Sequence, residues 1–271
     1  MCSSDLGQNV VVENRAGGGT VIATEFVAKA PADGYTLLLG GTSNMAFNIG
    51  LYPKLSYDPV KDFTPVGLTV TWPYMLVARK DLPQGSLTEL IDFARRNPEK
   101  LTYASGGRGT GQHIVVAVLA QLAGVKLTHV PYSGAQAAYQ DVLGGRVDLF
   151  FDNASTALPQ VNAGNVRALA VSSAKRYAVK PELPTVMETG VAPLDVETWF
   201  GLFAPAATPA PALAKLREAL DKARSLPDVV ELFGKTGGAV NALGVSETEA
   251  FVRREAERWG KLVREAGITA D

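Results

Sequence analysis

Short apolar runs and amphipathic stretches take turns along most of the chain, and the exchange is most regular from Leu101 onward. Leu101–Ala104, Leu127–Val130, Val147–Phe151 and Val166–Val171 read as strands, with Ile114–Leu122, Ala135–Leu143 and Thr156–Ala163 as the helices between them. Such alternation predicts parallel strands at the centre of a domain with helices on their faces. Nearer the start, Asn9–Glu13 is a β-rich run that stops at Asn14-Arg15-Ala16-Gly17-Gly18-Gly19. Ile22, Phe26 and Ala30 then recur at helical spacing and predict one apolar face, and Pro31-Ala32-Asp33-Gly34 supplies the turn that ends the helix. Tyr35–Leu39 reads as a buried strand, with Gly40-Gly41-Thr42-Ser43-Asn44 as the loop at its C-terminal end. Strand, helix, strand again suggests a parallel sheet.

Two stretches depart from this rhythm. Leu68–Ala78 is apolar and β-leaning but interrupted by Pro73, and Glu197–Phe203 is a second extended apolar segment. No stretch has the composition of a flexible linker, so these two segments are the candidates for strands that cross between domains. That predicts a discontinuous first lobe, residues 7–81 with 196–271, and a second lobe, residues 82–195. The remainder is helical: a segment opened by Pro211, a shorter one near Val229–Phe233 and a last one from Ser246. Ser86 with Glu89, and Ser246 with Glu249, have the spacing of capping boxes, and Gly267 stands where a C-cap would stop the last helix.

The richest candidate for chemistry is Tyr103-Ala104-Ser105-Gly106-Gly107-Arg108-Gly109-Thr110-Gly111-Gln112-His113, which follows a strand and opens a helix. Its glycines allow close backbone approach and positive φ. The first turn of the helix offers N–H groups with no internal partner, and the helix dipole favours an anion there. Ser105 and Thr110 add hydroxyls. A plain glycine-rich turn without a ligand is the alternative. Other loops at strand C-termini supply Thr42 and Ser43, Tyr132, and Asp152; ligands of parallel sheets gather outside those ends. Asp152 either accepts a hydrogen bond from a ligand or caps the next helix. His113 either contacts ligand or bonds loop carbonyls, and His129 reads as structural. Trp199 and Phe200 either line a cleft wall or fill a core. Gly17-Gly18-Gly19-Thr20 also opens a helix and is a second, weaker anion candidate.

These groups are mostly neutral hydrogen-bonding ones, which suits binding by many moderate contacts better than acid–base catalysis. The glycine spacing is G-x-G-x-G, not the G-x-G-x-x-G of dinucleotide loops, and no acidic residue ends the following strand. Phosphate-loop, serine-hydrolase, zinc-protease and C-x-x-C signatures are missing from the sequence, so no catalytic residue and no cofactor is assigned. Hydrophobic residues at 46% and charged ones at 20% fit a soluble globular protein. Lys+Arg 26 against Asp+Glu 27 leaves no basic excess for nucleic acid. Cys2 is the single cysteine and the histidines number 2, which leaves no internal disulfide and no expected metal centre. Met1–Leu6 lacks the charged start and apolar run of an export signal. A common sequencing-adapter end encodes Cys-Ser-Ser-Asp-Leu, so residues 1–6 read as a translated remnant that replaces the natural start; a short tail of the protein's own is the alternative.

The order and spacing of many short motifs resemble one known family, the periplasmic substrate-binding proteins of tripartite tricarboxylate transporters, or Bug proteins. The motifs are Val11–Gly19, Ala30–Leu37, Leu51–Leu55 with Tyr57-Asp58-Pro59, the Tyr103–His113 loop, Val130-Pro131-Tyr132, Leu143–Asp148, Arg167–Val171, Trp199–Ala206 and Arg258-Trp259. The resemblance covers Gly7 to Asp271. It implies an α/β, two-lobed periplasmic binding protein fold with a ligand cleft between lobes, and non-catalytic binding of a small carboxylate for delivery to membrane transporter subunits. In the family one carboxylate anchor resembles the Gly107–His113 loop. The opposing anchor is a loop after a first strand that precedes Gly7 and is missing from this sequence, as is an export signal. Ser133 departs from the Lys that many relatives carry. The ligand-binding residues expected are Thr42, Ser43, Ser105, Gly107, Gly109, Thr110, Gly111, Gln112, His113, Tyr132, Asp152, Trp199 and Phe200, in a periplasmic monomer. A sensing module in signalling, or an enzyme acting on a small acid, are the other readings of such a scaffold.

Overall fold

The computed structural model describes residues 6–15 and 17–269. Of the tail expected over residues 1–6 only Leu6 falls among them, and it packs against the Val66 and Leu213 cluster. In chain order the elements are a 3-10 turn (Gly18–Thr20), helix α1 (Val21–Ala28), strand β1 (Leu38–Gly41), a π-helical turn (Ser43–Phe47) leading into α2 (Asn48–Leu51), β2 (Phe63–Arg79), α3 (Leu87–Arg96), β3 (Thr102–Ser105), α4 (Gly111–Leu122), β4 (Thr128–Pro131), α5 (Ala135–Leu143), β5 (Leu149–Asn153), α6 (Ala154–Asn162), β6 (Val166–Val171), β7 (Glu197–Pro205), α7 (Ala210–Ser225), α8 (Pro227–Lys235), β8 (Ala239–Val240) and α9 (Val245–Glu265). They form two compact units. One contains the chain up to Thr71 with Trp199–Arg264, and the other contains Trp72–Thr198 with Glu265–Thr269.

The second unit has a sheet in the order β6–β2–β5–β3–β4. β3 runs parallel to β4 and to β5, as the strand–helix alternation predicts. β2 is antiparallel to both β5 and β6, because it arrives as a continuous strand and not through a helical crossover. Helices α5 and α6 cover part of the sheet, burying Ala138, Tyr139, Val142, Ala154 and Ala157 against Met75, Val77, Ala104 and Phe150. Helix α3 buries Leu87, Leu90, Ile91 and Ala94. Its start keeps half of the predicted capping box: Ser86 Oγ accepts from Glu89 N–H at 3.2 Å, while Glu89 Oε2 reaches one residue further back and accepts from Gly85 N–H at 2.7 Å. Ser86→Ala is expected to lower stability by about 1 kcal/mol, read as a shifted urea midpoint at constant slope.

In the first unit β1 pairs antiparallel with β7, and β8 pairs antiparallel with β2 at Val70 and Thr71, so β1 does not join the parallel strand–helix–strand unit expected at the start of the chain. The core joins Val27, Leu38, Met45, Tyr57, Phe63, Leu68, Trp199, Phe203 and Val252, with a second cluster of Val66, Ala204, Leu213, Leu216 and Leu220 under α7. Trp259 of α9 is fully buried, its ring edge-on to Phe47 at 4.9 Å.

Several local expectations are corrected. Asn9–Glu13 is not a strand: Val11 and Val12 are 85% and 81% exposed, and no described strand offers their backbone a ladder. Helix α1 buries Thr24 and Val27, while Ile22 and Phe26 face outward. The Arg15 guanidinium covers the Phe26 ring at 3.5 Å, so a cation–π contact shelters that side chain in place of the core. The strand expected over Tyr35–Leu39 begins later, at Leu38, and Tyr35 is exposed. The loop expected at Gly40–Asn44 is divided between the end of β1 and the π-helical turn. The break expected at Pro73 does not occur. Pairing with β8 ends at Thr71 and pairing with β5 starts at Tyr74, so Pro73 falls between these two ladders and the strand runs on through it. The last helix starts at Val245, before Ser246, and the carboxylate that closes its end is Glu247, which accepts from Gly244 N–H at 2.9 Å.

Candidate functional site

Within the second unit, parallel pairing sets the loops after β3 and β4 side by side. The register matches Tyr103 with His129 and Ser105 with Pro131. Tyr132 N–H donates to Ser105 O at 3.0 Å, and a Cβ on Gly107 would lie 3.4 Å from Tyr132 O. Each loop feeds a helix whose first residue has no side-chain cap. Gly134 at the N-cap of α5 has no side chain to offer, and Thr110 at the N-cap of α4 turns its hydroxyl to Gly107 O at 2.8 Å. The first-turn N–H groups at Gly111, Gln112 and His113 therefore lack both helical and side-chain acceptors. The helix dipole adds its positive end.

The loop between them is held from within. Gly107 and Gly109 take φ of 130° and 79°, values suited to glycine. Gly107 N–H donates to Ser105 Oγ at 3.1 Å, Gly106 N–H to Gln112 Oε1 at 2.8 Å, and Gly109 N–H to His113 Nδ1 at 3.3 Å. Gln112 then donates through Nε2 to Asp152 Oδ1 at 2.6 Å, and Thr156 Oγ1 donates to Asp152 Oδ2. Burial pushes the Asp152 carboxyl up, against the pull of those two donors. Gly111 must be glycine for a separate reason: a Cβ there would fall 2.0 Å from the Tyr74 hydroxyl.

Under the loop lies a stack of rings. His113 and His129 are 4.0 Å apart at 15°, and Tyr103 stacks on His129 at 4.9 Å. His129 Nε2 is 2.7 Å from Ser105 Oγ. Burial holds His113 down to about 4, helped by the Arg108 charge, and His129 down to about 3, helped by His113 and Arg108. Both rings are therefore neutral near pH 7. The Ser105–His129 contact does not make a nucleophile: Ser105 is wholly buried and its oxygen is engaged with Gly107 N–H and O.

Ser105, Gly107, Gly109, Thr110, Gly111, Gln112, His113, Tyr132 and Asp152 thus come together in one unit. Two of them differ from their expected local roles: His113 takes a loop N–H and not a carbonyl, and Asp152 does not cap α6, which Asn153 caps through Ser155 N–H. The Tyr132 hydroxyl bonds Asp141 Oδ2 at 2.6 Å. Thr42, Ser43, Trp199 and Phe200 lie in the other unit. There Thr42 Oγ1 accepts from Trp199 N–H at 2.9 Å, Trp199 is buried against Phe251, and Ser43 and Phe200 are half-buried. The Gly17–Thr20 turn is tied down by Asn48 Nδ2 and Tyr52 Oη, which donate to Gly19 O and Gly18 O. A hollow of about 580 Å³ in that unit is lined in part by Asp58 and Asp62, whose charge is wrong for an anion. Sequence reasoning missed Tyr74 as a neighbour of the loop and the stacking of Tyr103 on His129. The alternation of Tyr103 with Ser105 on β3, which puts both on one face, was the available signal.

Among the described residues there is no cluster of metal-ligating side chains, and no helix is long and apolar enough to cross a membrane. Solved structures that this chain resembles include an adipate-bound protein of R. palustris, at 34% identity and TM-score 0.90 over 98% of this chain and 89% of that one. The periplasmic binding protein BugD matches at 35% identity and TM-score 0.90, with the same coverage of 98% and 89%. MatC of Rhodopseudomonas palustris with bound malate matches at 34% identity and TM-score 0.90 over 96% and 90%. Among curated relatives, a UPF0065 protein from the tcbD-tcbE intergenic region of a Pseudomonas species is 41% identical over 99% of this chain and 80% of its own length. Protein BugT of Bordetella pertussis is 34% identical over 97% and 81%. Residues 1–268 match the family described as the tripartite tricarboxylate transporter family receptor, and the chain belongs to that family.

Proposed function

We propose that the chain binds a small carboxylate at the glycine loop between β3 and α4 and, as a periplasmic monomer, hands it to the membrane subunits of a tripartite tricarboxylate-type transporter. The protein is a binding protein and not an enzyme, as its family and its solved relatives are. The observation that carries the proposal is the uncapped start of α4, with three first-turn N–H groups behind a loop whose Gly106, Gly107 and Gly109 amides are already paired. A carboxylate oxygen supplies the missing acceptor and meets the dipole. Relatives of the same fold hold adipate and malate. Ser105, Gly107, Gly109, Gln112, His113 and Asp152 act by holding the loop in shape, and Thr110 and Gly111 set the entry to the helix.

The test is calorimetric titration of the purified chain with malate and adipate near neutral pH. Saturable heat with one of them, and no turnover of the bound acid, is the expected outcome. Absence of saturable binding by both acids and by a wider set of di- and tricarboxylates would sink the proposal.

A further inference from the structure

The stack beneath the glycine loop does more than fill space. Two of the loop's amides end on it: Gly109 N–H directly at His113 Nδ1, and Gly107 N–H through Ser105 Oγ, which lies 2.7 Å from His129 Nε2. We propose that the stacked His113–His129 pair is a pH-sensitive support for the loop, holding it in its anion-receiving form while neutral and releasing it, and the bound carboxylate, when protonated. This rests on the carboxylate reading above and adds a control to the same site.

The geometry gives two independent reasons. A proton on His113 Nδ1 removes the only acceptor that Gly109 N–H has in this arrangement and sets two donors face to face. Two imidazolium rings 4.0 Å apart repel across a poorly solvated gap. Of the charged or titratable neighbours, Arg108 acts with the pair, Tyr103 stays neutral and Asp152 acts against it. Arg108 of the loop opposes a second positive charge, and Tyr103 of β3 is neutral, its phenol pushed up by burial. Asp152 of β5 reaches the loop from its other side through Gln112; burial pushes its carboxyl up, so it takes its proton more readily in the closed arrangement and works against the histidines in acid. Both histidines sit below their ordinary value of 6.5, at about 4 and about 3. An opened loop therefore binds protons that the closed loop refuses. The closed loop keeps its full advantage above 6.5 and loses it as pH falls towards the two lowered values.

The experiment uses the whole chain with malate and adipate as probes. Affinity is measured at about pH 7.5 and about pH 4.5 for the native protein and for the double variant His113→Asn/His129→Gln, whose amides can replace the ring acceptor and the Ser105 contact but cannot charge. The acids' own protonation weakens both proteins alike, so the quantity read is the ratio of the two affinity losses. The native protein is expected to lose at least roughly tenfold more than the variant, about one pKa unit of coupling. Equal losses overturn the proposal. A ligand-free reading stands beside it: hydrogen-exchange protection of the Gly107 and Gly109 amides, followed by NMR in the native protein as the imidazole signals titrate. Protection lost as the rings charge supports the proposal, and protection kept through their titration overturns it. Should neither acid bind at neutral pH, the carboxylate reading fails and the exchange measurement alone decides the role of the histidines.

Discussion

Gly109→Val is expected to weaken malate or adipate binding by on the order of a hundredfold, about 2.7 kcal/mol, while leaving the melting temperature of the second unit within a few degrees. Gly109 sits at φ 79°, a left-handed conformation that a β-branched residue adopts only under strain. Valine would therefore drag the backbone towards ordinary φ and pull Gly109 N–H away from His113 Nδ1, its present acceptor. The loop would then close over the uncapped start of α4, and the added methyls would occupy space that a carboxylate needs. Calorimetric titration measures the effect. Gly109→Ala should fall between, since it keeps the strain and loses part of the bulk. Native-like affinity in the valine variant would show that the ligand lies elsewhere.

The largest expected effect on stability lies far from any ligand chemistry. Trp259→Ala should cost about 3–5 kcal/mol, a large part of the roughly 5–15 kcal/mol by which ordinary domains are stable. Trp259 is fully buried and meets Phe47 edge-on at 4.9 Å, so truncation leaves a cavity and strips Phe47 of its partner. Its indole N–H has no hydrogen-bond partner, so no hydrogen bond is lost and the cost is packing together with the Arg258 guanidinium's contact over the ring at 5.3 Å. Denaturant unfolding followed by circular dichroism reads it. A change under about 1 kcal/mol would mean that α9 and the Ser43–Phe47 turn rearrange to fill the space.

The second unit was the more legible half. Between Leu101 and Val171 each strand run is short and each helix is bounded by glycine or turn residues, so strand and helix positions follow from spacing, even for α4, which is buried nearly all round. The same is true of the glycine loop, because positive φ and an uncapped helix start leave marks in residue type. The first unit was harder for physical reasons. A run such as Val10-Val11-Val12 has the composition of a strand, but pairing is a property of two segments, and no described strand meets it. Ile22 and Phe26 mark a helix correctly and its inward face wrongly, since Asn44, which donates to Thr24 Oγ1, draws the polar side of α1 inward. β2 was broken at Pro73 on paper because a missing N–H matters only inside a ladder. The histidine stack lay beyond reach: it needs the β3–β4 register, which no periodicity reports, although both histidines and Tyr103 were in view.

One consequence of the pre-paired loop concerns ancestry more than energy. Gln112, Ser105 and His113 satisfy the loop amides whether or not a solute is present, so the grip is built before the solute arrives and reads only the charged end that organic acids have in common. Under the proposed function, a lineage can change its diet without touching this part of the protein. New tastes would be acquired by altering whatever meets the rest of the molecule, and the shared handle would pass unchanged from one nutrient to the next.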